Sequence, residues 1–232
     1  MTTATLTGTD VRLRNFVVRE LDWDPEVDAS AIGVTAKNGV VTLTGFVDTY
    51  AGKLAAERVA KRVRGVRAVA NDIIVRLTVE RTDADLAADA AAALKLQTTV
   101  PDKVQITVHR GHVGLTGTVE WFTQKEAAAA AVQHVAGVRG VANYIEVAPK
   151  PAFRDVHRRI VAALHRNADV DARNLRVDVT NDVVTLTGTV ASWLQRETAE
   201  RGAASAPGIR RVENRIVVAP SAIDDVDDEQ IC

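Results

Sequence analysis

Three aromatic residues in this chain each stand three positions before a base: Tyr50 before Lys53, Phe122 before Lys125, and Trp193 before Arg196. Residues three apart on a helix share a face. A ring beside a cation at a helix start can sit at a lipid headgroup boundary, the ring in the interface and the charge near anionic phosphate. Trp121, just before Phe122, and Leu194, just after Trp193, add apolar area. These eight residues form the candidate lipid-binding set. A competing reading packs each ring over a sheet edge as a staple and leaves the base solvated.

Other groups carry weaker chemistry. Lys61, Arg62, Arg64 and Arg67, and again Arg210, Arg211 and Arg215, could meet lipid phosphate or nucleic acid, or simply complement a helix C-terminus. Gly137-Val138-Arg139-Gly140 has the GXXG spacing of an RNA-clamping loop, but only once. His109 and His112 bracket a turn, and a zinc site needs further ligands that are not near in sequence. His157 and His165 lie on one helix without a metalloprotease pattern. Asn71, Asn143 and Asn214 recur on an inward-looking strand parity. A buried amide needs partners, and backbone near the preceding strand is expected to supply them. No nucleophile elbow, Walker loop or dinucleotide fingerprint occurs, so an enzyme is not expected and no cofactor is implied. Cys232, the single cysteine, lies in an acidic tail that would raise its thiol pKa.

The elements that must position these residues come as a repeat. Val40-Val41-Thr42-Leu43-Thr44-Gly45-Phe46-Val47 returns as Val113-Gly114-Leu115-Thr116-Gly117-Thr118-Val119 and as Val183-Val184-Thr185-Leu186-Thr187-Gly188-Thr189-Val190. A long fixed period marks a duplicated unit. The units run over residues 10–77, 83–149 and 153–220, followed by an acidic tail at 221–232 that is expected to be disordered. Each opens with a helix. Asp10 can cap the first, whose Leu13, Val17 and Leu21 share a face. A hairpin follows, signalled by Asn38-Gly39, Arg110-Gly111 and Asn181-Asp182. Its second strand alternates, with Val41, Leu43 and Val47 inward and Thr42 and Thr44 outward. Glycine on the inward side suggests close helix approach or a bulge. A second helix then runs from about Tyr50 to Val63, Phe122 to Val135 and Trp193 to Ser205, and a last strand carries the asparagine. A helical crossover makes that strand parallel to its predecessor. The expected fold is α+β: three tandem αββαβ two-layer sandwiches, each a three-stranded mixed sheet with two helices on one face.

The αββαβ order, the V-x-L-x-G-x-V strand, the Gly-Val closing the second helix (Gly65-Val66, Gly137-Val138) and the V-x-N strand resemble the BON domain family over nearly the whole chain. The resemblance implies a small non-enzymatic module, often in tandem, linked to stress and envelope integrity and to phospholipid membranes. The expected partner is therefore an anionic phospholipid surface. The alternatives are a soluble scaffold whose threonine faces bind protein partners or self-associate, and a small-ligand or cation sensor. The chain carries 29 Lys and Arg against 30 Asp and Glu. The tail holds −5 of this, the three units +2, −2 and +3, too little for a dedicated nucleic-acid binder. Residues 1–10 have neither a basic region nor an apolar run, and no apolar stretch is long enough to span a bilayer. The expected location is cytoplasmic, peripheral at the inner face of the membrane.

Overall fold

Alternation of Val41, Leu43 and Val47 with Thr42 and Thr44 places one face of each sheet in a core, and two helices cover that face. The computed structural model describes residues 8–77, 81–148, 156–166, 174–180, 182–206 and 208–219. The acidic tail, Cys232, Asn181 and the side chains of Leu164 and His165 lie outside the described residues.

The first unit contains α1 (Gly8–Trp23), β1 (Ile32–Lys37), β2 (Val40–Val47), α2 (Tyr50–Arg62), β3 (Ala68–Asn71) and β4 (Ile74–Val75). The second contains α3 (Asp83–Lys95), β5 (Gln105–His109), β6 (His112–Thr116), β7 (Thr118–Val119), α4 (Phe122–Gln133), β8 (Gly140–Asn143) and β9 (Glu146–Val147). The third contains α5 (Val156–Arg166), β10 (Leu175–Thr180), β11 (Val183–Val190), α6 (Trp193–Ala204) and β12 (Arg211–Val218). In each unit the hairpin is antiparallel and the last strand joins the middle one in parallel. The last strand is continuous in the third unit only. In the other two it is broken at Asp72–Ile73 and Tyr144–Ile145, although Asp72 and Tyr144 still donate their amides to Leu43 and Leu115, at 2.9 and 2.8 Å.

Each unit has its own core. Leu13, Val17 and Leu21 of α1 meet Val41, Leu43, Ala56 and Val59; Leu86, Val113, Leu115 and Val132 form the second core; Ile160, Val184, Leu186 and Ala203 form the third. A buried Leu or Val contributes about 1.5–3 kcal/mol. Small residues on the second helices (Ala55, Ala56 and Ala60; Ala128; Ala199, Ala203 and Ala204) let those helices lie close to the sheet.

Three expectations are corrected. Asp10 does not precede α1: it is buried in the first turn of the helix, and its carboxylate accepts the amide of Asn38 in the hairpin turn at 2.8 Å. Asp83 does the same for Arg110 and Gly111. The recurrent glycine neither admits a helix nor forms a bulge: it ends the hairpin ladder in the outer units, and the parallel pairing with the last strand keeps one register on both sides of it. Gly45 has φ +111°, and a Cβ there would overlap the carbonyl oxygen of Ala31 at the entry to β1; Gly188 stands in the same relation to Asn174. The asparagines, finally, bond the second helix rather than the preceding strand, as described next.

Candidate functional site

Asn71, Asn143 and Asn214 each tie the last strand to the second helix. Their Nδ2 groups donate to the carbonyls of Lys53, Lys125 and Arg196, at 3.1, 2.8 and 3.1 Å. Their Oδ1 atoms accept the amides of Ile73, Ile145 and Ile216. In the outer units Nδ2 also reaches Glu57 and Glu200. Aligned on the repeat glycine, the second unit has Ala129 at that position.

This latch fixes the start of the second helix, where the aromatic–base pairs sit. All eight candidate residues are half-buried. Lys53 Nζ donates to the Ile73 carbonyl at 2.7 Å, and Arg196 donates to the carbonyls of Ile216 and Asn214 at 3.1 and 3.0 Å. Two of the three bases thus cap the last strand. Lys125, their counterpart, makes no such bond among the described residues. Trp121 and Leu194 flank the helix starts, and the amide of Trp121 is capped by the Gln124 side chain at 3.1 Å.

The rings mark the seams between units. Tyr50 packs against the cores of both the first and second units. Phe122 lines a cavity shared by the second and third. Trp193 packs on the third core, donates Nε1–H to Glu197 at 3.1 Å and lies 5.9 Å from Lys61 of the first. The guanidinium of Arg196 stacks on the same ring at 4.9 Å. All three pairs of units thus share a boundary, and the aromatic at the start of a second helix stands at each. Sequence reasoning located the rings but missed the seams, because periodicity within a unit is silent about the neighbouring unit.

Lys61 is the strongest tie. It lies 2.6 Å from Glu197 across the seam and 2.8 Å from Glu57 on its own helix, with its side chain 17% exposed. It therefore does not belong to a solvated basic patch. Of the other bases, Arg62 pairs with Asp24, Arg210 with Asp182, and Arg211 and Arg215 with Glu213. His109 and His112 stand opposite each other in the β5–β6 ladder, and among the described residues no group of three metal-ligating side chains occurs.

The seam charges set a pH window. Burial works to raise the Glu57 carboxyl, but hydrogen bonds from Lys61 and Asn71 prevail and hold it below its ordinary value. Its contribution is present above the unfolded value and is lost as pH falls through the folded one. Burial likewise works to lower Lys61, and its bonds to Glu197 and Glu57 prevail and raise it. That contribution is full below the unfolded value and is lost as pH rises through the folded one. Glu126, between the second and third units, is raised by burial, opposed by Arg201. Protonating it favours the folded seam, so mild acid should tighten that seam before stronger acid loosens the other. Lys61→Met is expected to cost about 1 kcal/mol, discounted for its partial exposure, and to flatten the alkaline fall in melting temperature. Glu126→Gln should remove the mild-acid gain. Thermal unfolding across pH, followed by circular dichroism, checks both; an unchanged alkaline limb in the Lys61 variant would refute the assignment.

The sequence model of the BON domain matches this chain three times, over residues 9–76, 82–149 and 154–220. The chain belongs to the BON domain family. A similar BON protein is the osmotically-inducible protein Y of Escherichia coli (strain K12), 34% identical over 124 residues. That match covers 50% of this chain and 62% of the relative, so it spans less than two thirds of the relative's length. Two solved structures of CdsD, a structural protein of the type III secretion system of Chlamydia trachomatis, align over 91% and 90% of the BON chain. They cover 94% and 98% of their own lengths, at 17% and 18% identity and TM-scores of 0.27 and 0.26, values that support no statement about this BON protein. No helix among the described residues is long and apolar enough to cross a membrane.

Proposed function

We propose that this BON protein is a non-catalytic binding protein that associates with anionic phospholipid surfaces in an osmotic-stress or envelope-integrity role. The observation that carries the contact is an outward stripe on α1. Trp23 is 86% exposed and Phe16 36%, and Arg12 and Arg19 stand on the same flank at helical spacing. Phe16 and Arg19 border a hollow of about 410 Å³ with Glu20, Arg62, Val63 and Arg64. Of the neighbouring acids, Asp24 is paired with Arg62 and Glu26 with Arg58, while the exposed Glu20 lines the hollow itself. Exposed rings interleaved with arginine suit the headgroup layer, where each cation near an anionic surface contributes about 1 kcal/mol. The relative's name, an osmotically inducible protein, supports the stress role. Tyr50, Lys53, Trp193 and Arg196 are taken up by seam and strand contacts, and Phe122 and Lys125 line a cleft between units, so α1 makes the first contact.

Cosedimentation with phosphatidylglycerol vesicles, against phosphatidylcholine vesicles and at low and high salt, tests this. Trp23→Ala is expected to weaken binding about tenfold, while Trp193→Phe leaves it unchanged. Absence of wild-type binding ends the reading. A scaffold role has one observation in its favour: Val40, Phe46 and Ile74 are exposed on the first unit, and Phe46 and Ile74 stand opposite each other between β2 and β4. Binding that survives Trp23→Ala but is lost in Phe46→Ser would favour it.

A further inference from the structure

The three seams are built alike, and one of them is left open. Aligned on the repeat glycine, Tyr50, Phe122 and Trp193 occupy one position, and Lys61, Gln133 and Ala204 occupy another. Where Trp193 meets the first unit, the long Lys61 side chain lies near the ring and is held by two carboxylates. Where Tyr50 meets the second unit, the ring is seated in its core. Where Phe122 faces the third unit, the partner position is Ala204, a single methyl. Phe122 is seated in neither core among the described residues. The space left is a solvent-open cavity of about 850 Å³ lined by both units.

Its lining is divided by chemistry. Phe122, Val147 and Val212 give an apolar wall, backed by the buried Ile145, Ala204 and Ile209, and Lys125 lines the same cavity. The other charged groups are engaged or outlying. Arg210 is held by Asp182, Arg211 by Glu213, and Glu200 accepts from Asn214. Glu146 is exposed, where water screens it. The aligned bases Lys53 and Arg196 are consumed by carbonyls of the last strand, and Lys125 is not. The second unit also has Ala129 where the outer units carry Glu57 and Glu200, so no carboxylate of its own helix neutralises Lys125 from that position. The same repeat position is thus structural twice and available once, at a domain seam of ligand-sized volume.

We infer that the cleft between the second and third units binds a single-chain anionic amphiphile, its alkyl or acyl chain against Phe122, Val147 and Val212 and its phosphate or carboxylate head on Lys125. This goes beyond association with a membrane surface and does not rest on it. The ligand is a monomer, and the α1 stripe plays no part.

Isothermal titration of the full chain with octyl phosphate, below its micelle concentration, tests the inference. Inorganic phosphate and octyl glucoside serve as the head-only and chain-only probes. One saturable site is expected for octyl phosphate, with each of the other two at least tenfold weaker. Lys125→Gln should weaken octyl phosphate about tenfold, the loss of one charge-assisted hydrogen bond; Lys125→Glu should weaken it further, and Lys53→Gln should change nothing. Ala204→Trp, which puts an indole ring into the cavity, should weaken binding further. Because Ala204 is buried, the half-exposed Lys125 variants remain decisive if that protein fails to fold. Wild-type affinity in Lys125→Glu, unsaturable uptake, or equal binding of octyl glucoside or of phosphate alone would overturn the inference. Should vesicles fail to sediment the protein while octyl phosphate binds, the membrane reading falls and the cleft stands.

Discussion

Gly45→Ala and Gly188→Ala are each expected to unfold their own unit at temperatures where the rest of the chain stays folded. Both glycines adopt φ values, +111° and +127°, that an L-residue rarely takes. Such strain costs on the order of 1–3 kcal/mol by itself. The added methyl would also overlap a backbone carbonyl, that of Ala31 or Asn174, which cannot swing aside as a side chain could. A loss of about 4 kcal/mol or more is expected, against a total stability of about 4–10 kcal/mol for a unit of this size. Gly117→Ala should be milder, since the nearest backbone oxygen, that of Lys103, is 2.6 Å from where the methyl would stand. Calorimetry should therefore show a separate early transition for the first two variants and a smaller shift for the third. Equal effects at all three positions would mean that dihedral strain alone decides.

The second large effect is expected at the asparagine latch. Replacing Asn143 by Ala removes two hydrogen bonds, leaving the buried Ile145 amide without its acceptor and the Lys125 carbonyl with its helical partner alone, at about 2 kcal/mol. Replacing Asn71 or Asn214 also releases a glutamate, and about 3 kcal/mol is expected. On a unit of this length each kcal/mol moves the melting temperature by about 4–8 °C. Asn→Asp discriminates the two halves of the latch. It keeps the acceptor for the isoleucine amide but puts a carboxylate against the helix carbonyl and, in the outer units, against Glu57 or Glu200. It should cost at least as much as alanine in the outer units. Urea denaturation of both series measures this, and an Asp variant as stable as wild type would show that the donor half contributes nothing. Because the latch fixes the carbonyls of residues 53, 125 and 196, its loss should also disturb the bases beside the seams.

The repeat and its parity were legible without coordinates. Val41, Leu43 and Val47 face the core in the structure as their alternation requires, and the second helices begin at Tyr50, Phe122 and Trp193. These are local consequences of side-chain period and turn chemistry. Asn38 and Gly39, for instance, take the positive φ values that a two-residue hairpin turn of matching twist demands. The asparagines were recognisable as buried amides needing partners, but their partners were misplaced. The chain distance from Asn71 to the preceding strand gives no hint that the Lys53 carbonyl is closer.

What the sequence by itself determined is the unit: its αββαβ order, its core face, its hairpin register and the position of the aromatic–base pair. Those features depend on residues within about thirty positions of one another, where period and turn geometry leave few alternatives. Only the tertiary structure decided what the pair does. Whether a ring is exposed or seated in a neighbour depends on residues some seventy to one hundred and forty positions away, as with Trp193 and Lys61. Whether a base is free depends on which carbonyls the latch brings within reach. At Lys53 and Arg196 they come within reach; at Lys125 no such bond forms among the described residues, and the space beside it is bounded by side chains from two units at once.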